Sequence, residues 1–317
     1  MDALQLVAGW PVGSAAVGVV GPDPPSVGTG RDQPDPAVVF GPDTRSFPWA
    51  SVTKLATALA VLVAAEEGTL ALDDPAGPAG ATVRHLLAHA SGLGPRPGAP
   101  LAPPAETRIY SNAGYLVLGD LIAERSGMVF ADYLRQGVLD PLGMTRTLLD
   151  ADAPEGAAAA GLAGPLVDLL SLGRELATPT LIGGETHRMA TSVQFPGLGG
   201  VLPGFGRFEP CDWGLGPEIR GAKQPHWTGT KNSPATFGHF GRSGSFLWVD
   251  PVAGVTCAGL GDRPFGPWAA QWWPRLADSV LEEQAGRGGP DRNGPGGVGP
   301  DRGGARGWPE HVDGGHV

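Results

Sequence analysis

Ser51 and Lys54 are the two residues whose types and spacing most directly suggest chemistry. On a helix, side chains three residues apart share a face, with Cβ atoms about 5–6 Å apart, so the lysine amine can reach the serine hydroxyl. A serine hydroxyl needs a base before it can attack a carbonyl carbon, and a lysine amine serves as that base only if its pKa falls. Burial and the positive end of the helix dipole both lower the pKa. The alternative is a serine that caps a helix beside an incidental lysine.

Tyr110-Ser-Asn112 is the second pattern, and it precedes another predicted helix. In the functional interpretation the Tyr110 phenol shuttles a proton, with its pKa lowered by the nearby Lys54 ammonium. Asn112 would hold Lys54 or an amide group of a substrate. The alternative is a turn before a helix, with Asn112 as the N-cap.

His239-Phe-Gly241 is the third pattern, just before a predicted strand. About one H-x-G triplet is expected by chance in a chain with 7 His and 52 Gly, so this pattern carries no information by itself. Its weight depends on the two patterns that precede it.

The helix that begins near Ser51 and ends before Gly68 has no charge between Leu55 and Ala65. Because such a helix is apolar on every side, it belongs in the middle of a domain, which places its first turn inside the structure. Strands at both ends of the chain and helices between them predict one sheet of distant segments with a helical insertion. Helices are predicted over about 82–89, 112–126, 133–139, 167–177 and 268–284, and strands over 15–20, 37–40, 246–249 and 255–260. The turn composition of residues 250–254 predicts a hairpin between the last two strands.

In this order, S-x-x-K, Y-x-N and H-x-G resemble the motifs of the serine β-lactamase and penicillin-binding protein superfamily. The Y-x-N form is most similar to the branch of class C β-lactamases and related esterases. The similarity continues in the segments around the motifs, at 47–54, 83–93, 110–144 and 239–251. It covers about residues 12–284.

The resemblance implies an α+β fold of the β-lactamase/transpeptidase-like type. An antiparallel sheet flanked by helices would carry an inserted all-helical subdomain at about 70–190, with the active site between them. Residues 1–284 would form this hydrolase domain. Residues 285–317 are rich in Gly and Pro with almost nothing to bury, which predicts a disordered tail.

The resemblance also implies a serine hydrolase that works through an acyl-enzyme on Ser51, formed by attack and released by water. Lys54 and Tyr110 would share the proton transfers, and Asn112 would position the reacting groups. The substrate would be a small-molecule ester or amide.

The third motif would form the oxyanion side of the site, from the backbone N–H groups of Ser51 and Arg242, with His239 shaping it. Gly241 is expected there because a side chain would crowd the substrate against the strand. Penicillin-recognising members usually carry K-T-G, whereas this chain has His239 and Phe240 in place of the lysine and threonine. A neutral histidine is a poor anchor for a carboxylate, which favours a carboxylesterase-like enzyme. Arg242 could supply a replacement cation, so β-lactamase or D-Ala carboxypeptidase-like activity and a non-catalytic ligand-binding relative remain alternatives.

The net charge of −10 argues against a nucleic-acid partner, since phosphate binding needs a basic surface. The N-terminal residues lack the positive region and unbroken apolar run of a secretory signal, and no window is long enough to span a membrane. We therefore expect a cytoplasmic protein without a membrane partner. The sequence does not specify the oligomeric state.

His85 and His89 form an i, i+4 pair of the kind that binds metals, but no third ligand is evident nearby, so neither a metal nor another cofactor is expected. His187 and His226 are assigned to the surface or to loops. Three tryptophans could line an acyl pocket or simply pack in the core. They are Trp213, Trp227 and Trp248.

Overall fold

A central antiparallel sheet organises residues 1–21 and 37–287, the part of the chain that the computed structural model describes. The strands are β1 (Ala15–Val20), β2 (Val38–Phe40), β3 (Phe47–Pro48), β4 (Leu148–Leu149), β5 (Leu162–Gly164), β6 (Gly200–Leu202), β7 (Gly206–Phe208), β8 (Glu218–Ile219), β9 (Phe237–Gly241), β10 (Ser245–Asp250) and β11 (Val255–Gly261). The central sheet has the strand order β2-β1-β11-β10-β9-β8, and two small sheets, β3-β5-β4 and β6-β7, lie outside it.

Helices cover both faces of this sheet. The α-helices are α1 (Thr53–Glu66), α2 (Val83–Leu87), α3 (Asn112–Ser126), α4 (Phe130–Leu134), α5 (Ala157–Ala160), α6 (Leu166–Ala177), α7 (Gly184–Ala190) and α8 (Pro267–Arg287). A 3₁₀ helix at Asp2–Gly9 precedes the first strand, and Arg135–Leu139 forms a π-helical turn directly after α4.

Successive side chains along a strand point to opposite faces of the sheet. Because every residue of β1, β10 and β11 is buried, both faces must be covered. Val17 and Trp248 pack in a cluster with α8 and the N-terminal 3₁₀ helix. Ala16 and Leu247 pack on the other side, in the larger cluster that contains α1 and α6. The predicted hairpin between β10 and β11 is present, with Trp248 paired to Cys257, a buried free cysteine. The expected fold class, an antiparallel sheet flanked by helices, is therefore confirmed.

Helix α1 is buried along its length, from Thr53 through Ala64, as its lack of charge predicts. Three of its polar side chains, those of Thr53, Lys54 and Thr57, have a partner in one neighbouring segment at 158–162. Thr53 Oγ1 accepts a hydrogen bond from the Leu162 amide at 3.0 Å, and Thr57 Oγ1 donates to the Ala158 carbonyl at 2.7 Å. Buried polar groups need such partners, so this segment fixes the position of the helix that follows Ser51.

The region expected to be a helical insertion, at about 70–190, holds α2 to α7 together with the short strands β4 and β5. Strand β5 pairs with β3, the strand that leads into Ser51. At the other end, α8 continues to Arg287, a few residues beyond the predicted boundary at 284. The remainder of the predicted tail, 288–317, lies outside the described residues, as do residues 22–36.

Replacing Thr57 by valine should destabilise the protein by about 1–3 kcal/mol, because it leaves the buried Ala158 carbonyl without its donor while keeping the side-chain shape. Chemical denaturation measures the change. The matched control is Thr145→Val at an exposed position, which should lie within about 0.5 kcal/mol of wild type. Equal stabilities for the two variants would contradict the assigned role of Thr57.

Candidate active site

The segment before α1 presents Ser51 on a strained turn. Ala50 has φ +46°, in the left-handed region that side chains other than glycine rarely adopt. A 3₁₀ turn at Ala50–Val52 follows and passes directly into the helix. Strain of this kind persists where surrounding contacts enforce it, which is common at functional sites. It leaves Ser51 on the wall of a cavity while its neighbours are buried.

Lys54 is fully buried, and its amine has three polar neighbours. Nζ lies 2.7 Å from Asn112 Oδ1, 2.9 Å from the Ala159 carbonyl oxygen and 3.4 Å from Ser51 Oγ. The two carbonyl-type oxygens can only accept hydrogen bonds. A neutral amine that donates both hydrogens to them therefore directs its lone pair at the Ser51 hydroxyl.

The surroundings of Lys54 also favour the neutral amine. In residues 1–21 and 37–287, Lys223 and Lys231 each pair with a carboxylate, whereas no such ion pair involves Lys54. Burial lowers the pKa of Lys54 to about 7, and the charge of Glu155 acts in the opposite direction. The predicted fall in pKa is confirmed, and desolvation is its physical cause.

Tyr110 departs from its prediction. Burial raises the pKa of its phenol above the ordinary value, although a hydrogen bond with Ser51 works the other way. The Lys54 amine lies 4.9 Å from the centre of the Tyr110 ring, over its face. The expectation that Lys54 lowers the pKa of Tyr110 is wrong, because the loss of solvation outweighs any such attraction. Tyr110 is a neutral phenol beside the nucleophile.

Asn112 opens α3 but does not cap it. The cap is Ser111, whose Oγ accepts a hydrogen bond from the Gly114 amide at 2.8 Å. The alternative interpretation of Asn112 as the N-cap is therefore wrong. Since Ser111 takes that role, the Asn112 side chain is available to hold Lys54, one of the two functions considered for it.

The third motif lies on β9 with His239 buried. The Nδ1 atom is 2.7 Å from the carbonyl oxygen of Phe240, which can only accept, so Nδ1 carries the hydrogen. Burial, and after it the charge of Lys54, lowers the pKa of His239 to about 3. The ring is therefore neutral near pH 7 and supplies no cation at the position of the K-T-G lysine.

Gly241 is required for a reason other than the one expected. A Cβ atom there would lie 2.4 Å from the Trp49 carbonyl oxygen and 2.4 Å from Ser245 Oγ. Ser245 Oγ donates to that same carbonyl at 2.7 Å. The close approach is between β9 and the segment before the nucleophile, so Gly241 makes room for the protein's own backbone.

A cavity of about 230 Å³ brings together five of the predicted residues: Ser51, Tyr110, Asn112, His239 and Arg242. Of the remaining two, Lys54 lies behind Ser51, and Gly241 packs against the nucleophile segment. Much of the remaining wall is apolar. It includes Leu202, Pro203, Trp213, Phe240 and Phe265.

Two carboxylates in the cavity wall were missed by the sequence analysis. Glu155 forms an ion pair with Arg242. Glu218 is buried and lies 2.8 Å from Lys223 Nζ and 3.0 Å from His226 Nε2. Burial opposes its charge, but these two neighbours together hold the pKa of Glu218 at about 2. An acid, a lysine and a histidine within 218–226 are the sequence signal that could have indicated this cluster.

The other histidines serve structural contacts. His226 lies in the loop between β8 and β9, as one of the two expectations for it had it, but its side chain is buried rather than at the surface. His187 lies on α7 with its Nε2 atom 2.8 Å from the Leu176 carbonyl oxygen. His85 Nδ1 accepts from the Thr82 amide at 3.2 Å, and His89 Nδ1 accepts from the Ser111 amide at 3.1 Å. Each of these two rings is thus held by its own backbone contact.

No group of three or more His, Cys, Asp and Glu side chains is placed to hold a metal ion within the described ranges 1–21 and 37–287. In the same part of the chain, no helix combines the length and the apolar character needed to cross a membrane.

Comparison with known proteins identifies the family to which this fold and site belong. A family model described as Beta-lactamase matches residues 26–281, so the chain belongs to the β-lactamase family of serine hydrolases. A crystal structure of a β-lactamase from Mycobacterium bovis is 47% identical, covers 89% of this chain and 99% of that one, and superimposes with a TM-score of 0.83. The class C branch remains a prediction.

More distant relatives share the fold under other names. A "Putative D-alanyl-D-alanine carboxypeptidase" from Salmonella enteritidis is 28% identical over 203 residues, which are 52% of this chain and 47% of the relative. The chain thus spans about half the length of the curated relatives it matches. The structure of EstCE1, described as a hydrolase with promiscuous acyltransferase activity, is 19% identical, covers 88% of this chain and 97% of that one, and has a TM-score of 0.66.

The protonation of Lys54 can be measured directly, because the chain has only three lysines. NMR of protein labelled at lysine ¹³Cε should show one signal that titrates near pH 7 and is lost in Lys54→Met. In Glu155→Gln this midpoint should move to lower pH, because Glu155 stabilises the ammonium. The pKa of Lys231 should lie above its ordinary value, because its ammonium pairs with Glu282. A Lys54 midpoint near its ordinary value of 10.5 would contradict this description of the site.

Proposed function

We propose that the protein is a carboxylesterase-like serine hydrolase that forms an acyl-enzyme on Ser51. The observation that carries the proposal is the placement of Lys54. Its buried amine has a pKa of about 7 and two acceptors that turn the lone pair toward Ser51 Oγ. A general base works best when its pKa lies near the working pH.

In the acylation step, Lys54 takes the proton of Ser51 as Oγ bonds to the carbonyl carbon of the ester. The bond to the leaving oxygen then breaks, and that oxygen takes the proton of the neutral Tyr110 phenol, which regains one from Lys54. In the second step a water molecule gives a proton to the same pair as its oxygen bonds to the acyl carbon. The bond from that carbon to Ser51 Oγ then breaks, and the pair returns the proton to Oγ, which releases the acid and restores the Ser51 hydroxyl. The raised pKa of Tyr110 suits this role, since a phenol that keeps its proton can donate it.

The oxyanion formed in each step is assigned to the backbone N–H groups of Ser51 and Arg242. Two hydrogen bonds between their segments support this assignment. Ser243 Oγ donates to the Pro48 carbonyl and Ser245 Oγ donates to the Trp49 carbonyl, each at 2.7 Å. The turn after β9 is thus tied to the residues that precede the nucleophile.

The preference for esters rests on the wall beside Ser51. Neutral His239 and apolar Phe240 take the positions of the K-T-G lysine and threonine, so the cation and hydroxyl that help to hold a β-lactam carboxylate are replaced. β-Lactamase activity is the second candidate, because the 47% identical Mycobacterium bovis protein is described as a β-lactamase. D-Ala carboxypeptidase-like activity and a ligand-binding role without turnover are the remaining alternatives.

Hydrolysis of p-nitrophenyl butyrate and of nitrocefin, measured side by side, tests the proposal. Wild type should turn over the ester, and Ser51→Ala should lower kcat/KM by about 10³-fold or more, because the nucleophile is lost. The matched control is Ser171→Ala on α6, which should retain ester turnover.

Nitrocefin turnover that disappears in Ser51→Ala would favour the β-lactamase alternative. Ester hydrolysis that survives in Ser51→Ala would show that the reaction does not use this nucleophile. A single round of Ser51 acylation without steady product release would favour the ligand-binding alternative.

A further inference from the structure

Glu155 and Arg242 form an ion pair, and both residues line the active-site cavity. The Arg242 side chain is 76% exposed and that of Glu155 is 25% exposed. Glu155 lies just before α5, whereas Arg242 follows β9. The pair therefore joins two distant segments at the solvent-facing side of the cavity.

The remaining titratable groups of the wall supply no free positive charge. Arg242 is the one cationic side chain among the described residues of the wall, and Glu155 occupies it. His239 is neutral. Glu218 is ionised, but Lys223 and His226 contact it from behind the wall. An anion that enters the cavity consequently meets carboxylates and an arginine that is already paired.

Arg242 is the cation that this cavity offers to an acyl group with its own carboxylate, and Glu155 already balances its charge. If the ligand displaces Glu155, the new charge-assisted hydrogen bond replaces one already present, and the partly buried Glu155 carboxylate loses its partner. If the ligand and Glu155 share the guanidinium, which has five N–H donors, their two carboxylates lie side by side and repel each other. An uncharged acyl chain leaves the ion pair intact and packs against Trp213, Phe240 and Phe265.

We propose that the Glu155–Arg242 ion pair is the specificity determinant of the site and selects uncharged, apolar acyl groups over anionic ones. This inference rests on the proposed function. It assigns Glu155 a positioning role, since the carboxylate acts on the acyl group through the arginine that it holds.

The test compares two esters of matched chain length, p-nitrophenyl hexanoate and the mono-p-nitrophenyl ester of adipic acid, which differ by a terminal carboxylate. The readouts are kcat/KM and the first-turnover acylation of Ser51, followed by p-nitrophenol release and intact mass. The variants are Glu155→Gln, Arg242→Gln and the double variant. Glu282→Gln, which breaks the remote pair with Lys231, controls for the loss of one negative charge.

Wild type should prefer the hexanoate by about tenfold or more, and Glu155→Gln should reduce this ratio by about fivefold, because the freed guanidinium can hold the adipate carboxylate. The reduction should vanish in the double variant, and Glu282→Gln should keep the wild-type ratio. Thermal melts of the folded variants accompany the measurement. Because the readout is a ratio within each variant, a general loss of activity does not imitate the expected result.

A ratio that Glu155→Gln leaves unchanged would overturn the proposal. A reduced ratio that persists in the double variant would overturn it too, since the charge of Glu155 alone would then suffice. In both cases normal hexanoate turnover would leave the proposed function standing. Failure of both esters to acylate Ser51 in wild type would overturn the proposed function and this inference together.

Discussion

The arrangement of the active site depends on the burial of one amine without a counter-charge. An ammonium removed from water without a carboxylate partner costs several kcal/mol, so the pKa of Lys54 falls until the neutral form is accessible. The surrounding structure then has to satisfy a neutral amine. Asn112 Oδ1 and the Ala159 carbonyl do this with two acceptors, and Ser51 becomes the third neighbour. The contacts that satisfy the buried amine of Lys54 therefore also direct its lone pair at the Ser51 hydroxyl.

This requirement extends outward into the fold. Helix α1 can bury Lys54 because it is apolar along its length, and the segment at 158–162 supplies partners for the polar groups that α1 carries. On the other side, β9 approaches the nucleophile segment so closely that only glycine fits at 241. Ser51 therefore lies between α1, which positions Lys54 as its base, and β9, which leads to the expected oxyanion contact at Arg242. The two sides meet in one apolar cavity.

The sequence was sufficient to predict the features that repeat with the period of a helix or a strand. The bounds of α3 were predicted at both ends, and the β10–β11 hairpin and the buried α1 were identified from composition and turn residues. The burial of single side chains and their partners from distant segments were harder to predict. The functional interpretation of the two motifs placed Tyr110 near a charged Lys54 and predicted a lowered pKa for the phenol. Desolvation decides that pKa instead, and burial is a property of the folded chain. Glu155 stands in a short Ala- and Gly-rich stretch with no local pattern, and its pairing with Arg242 crosses 87 residues.

Activation of Ser51 by buried Lys54 is tested most directly by the rate at which a fluorophosphonate labels Ser51, measured as a function of pH in wild type and in Lys54→Met. In wild type the labelling rate should rise with pH through a midpoint of about 7, the pKa of the buried amine, and in Lys54→Met the rate should fall and the midpoint should disappear. A labelling rate that does not change with pH around this midpoint, or that is the same in both proteins, would contradict the claim that buried Lys54 activates Ser51.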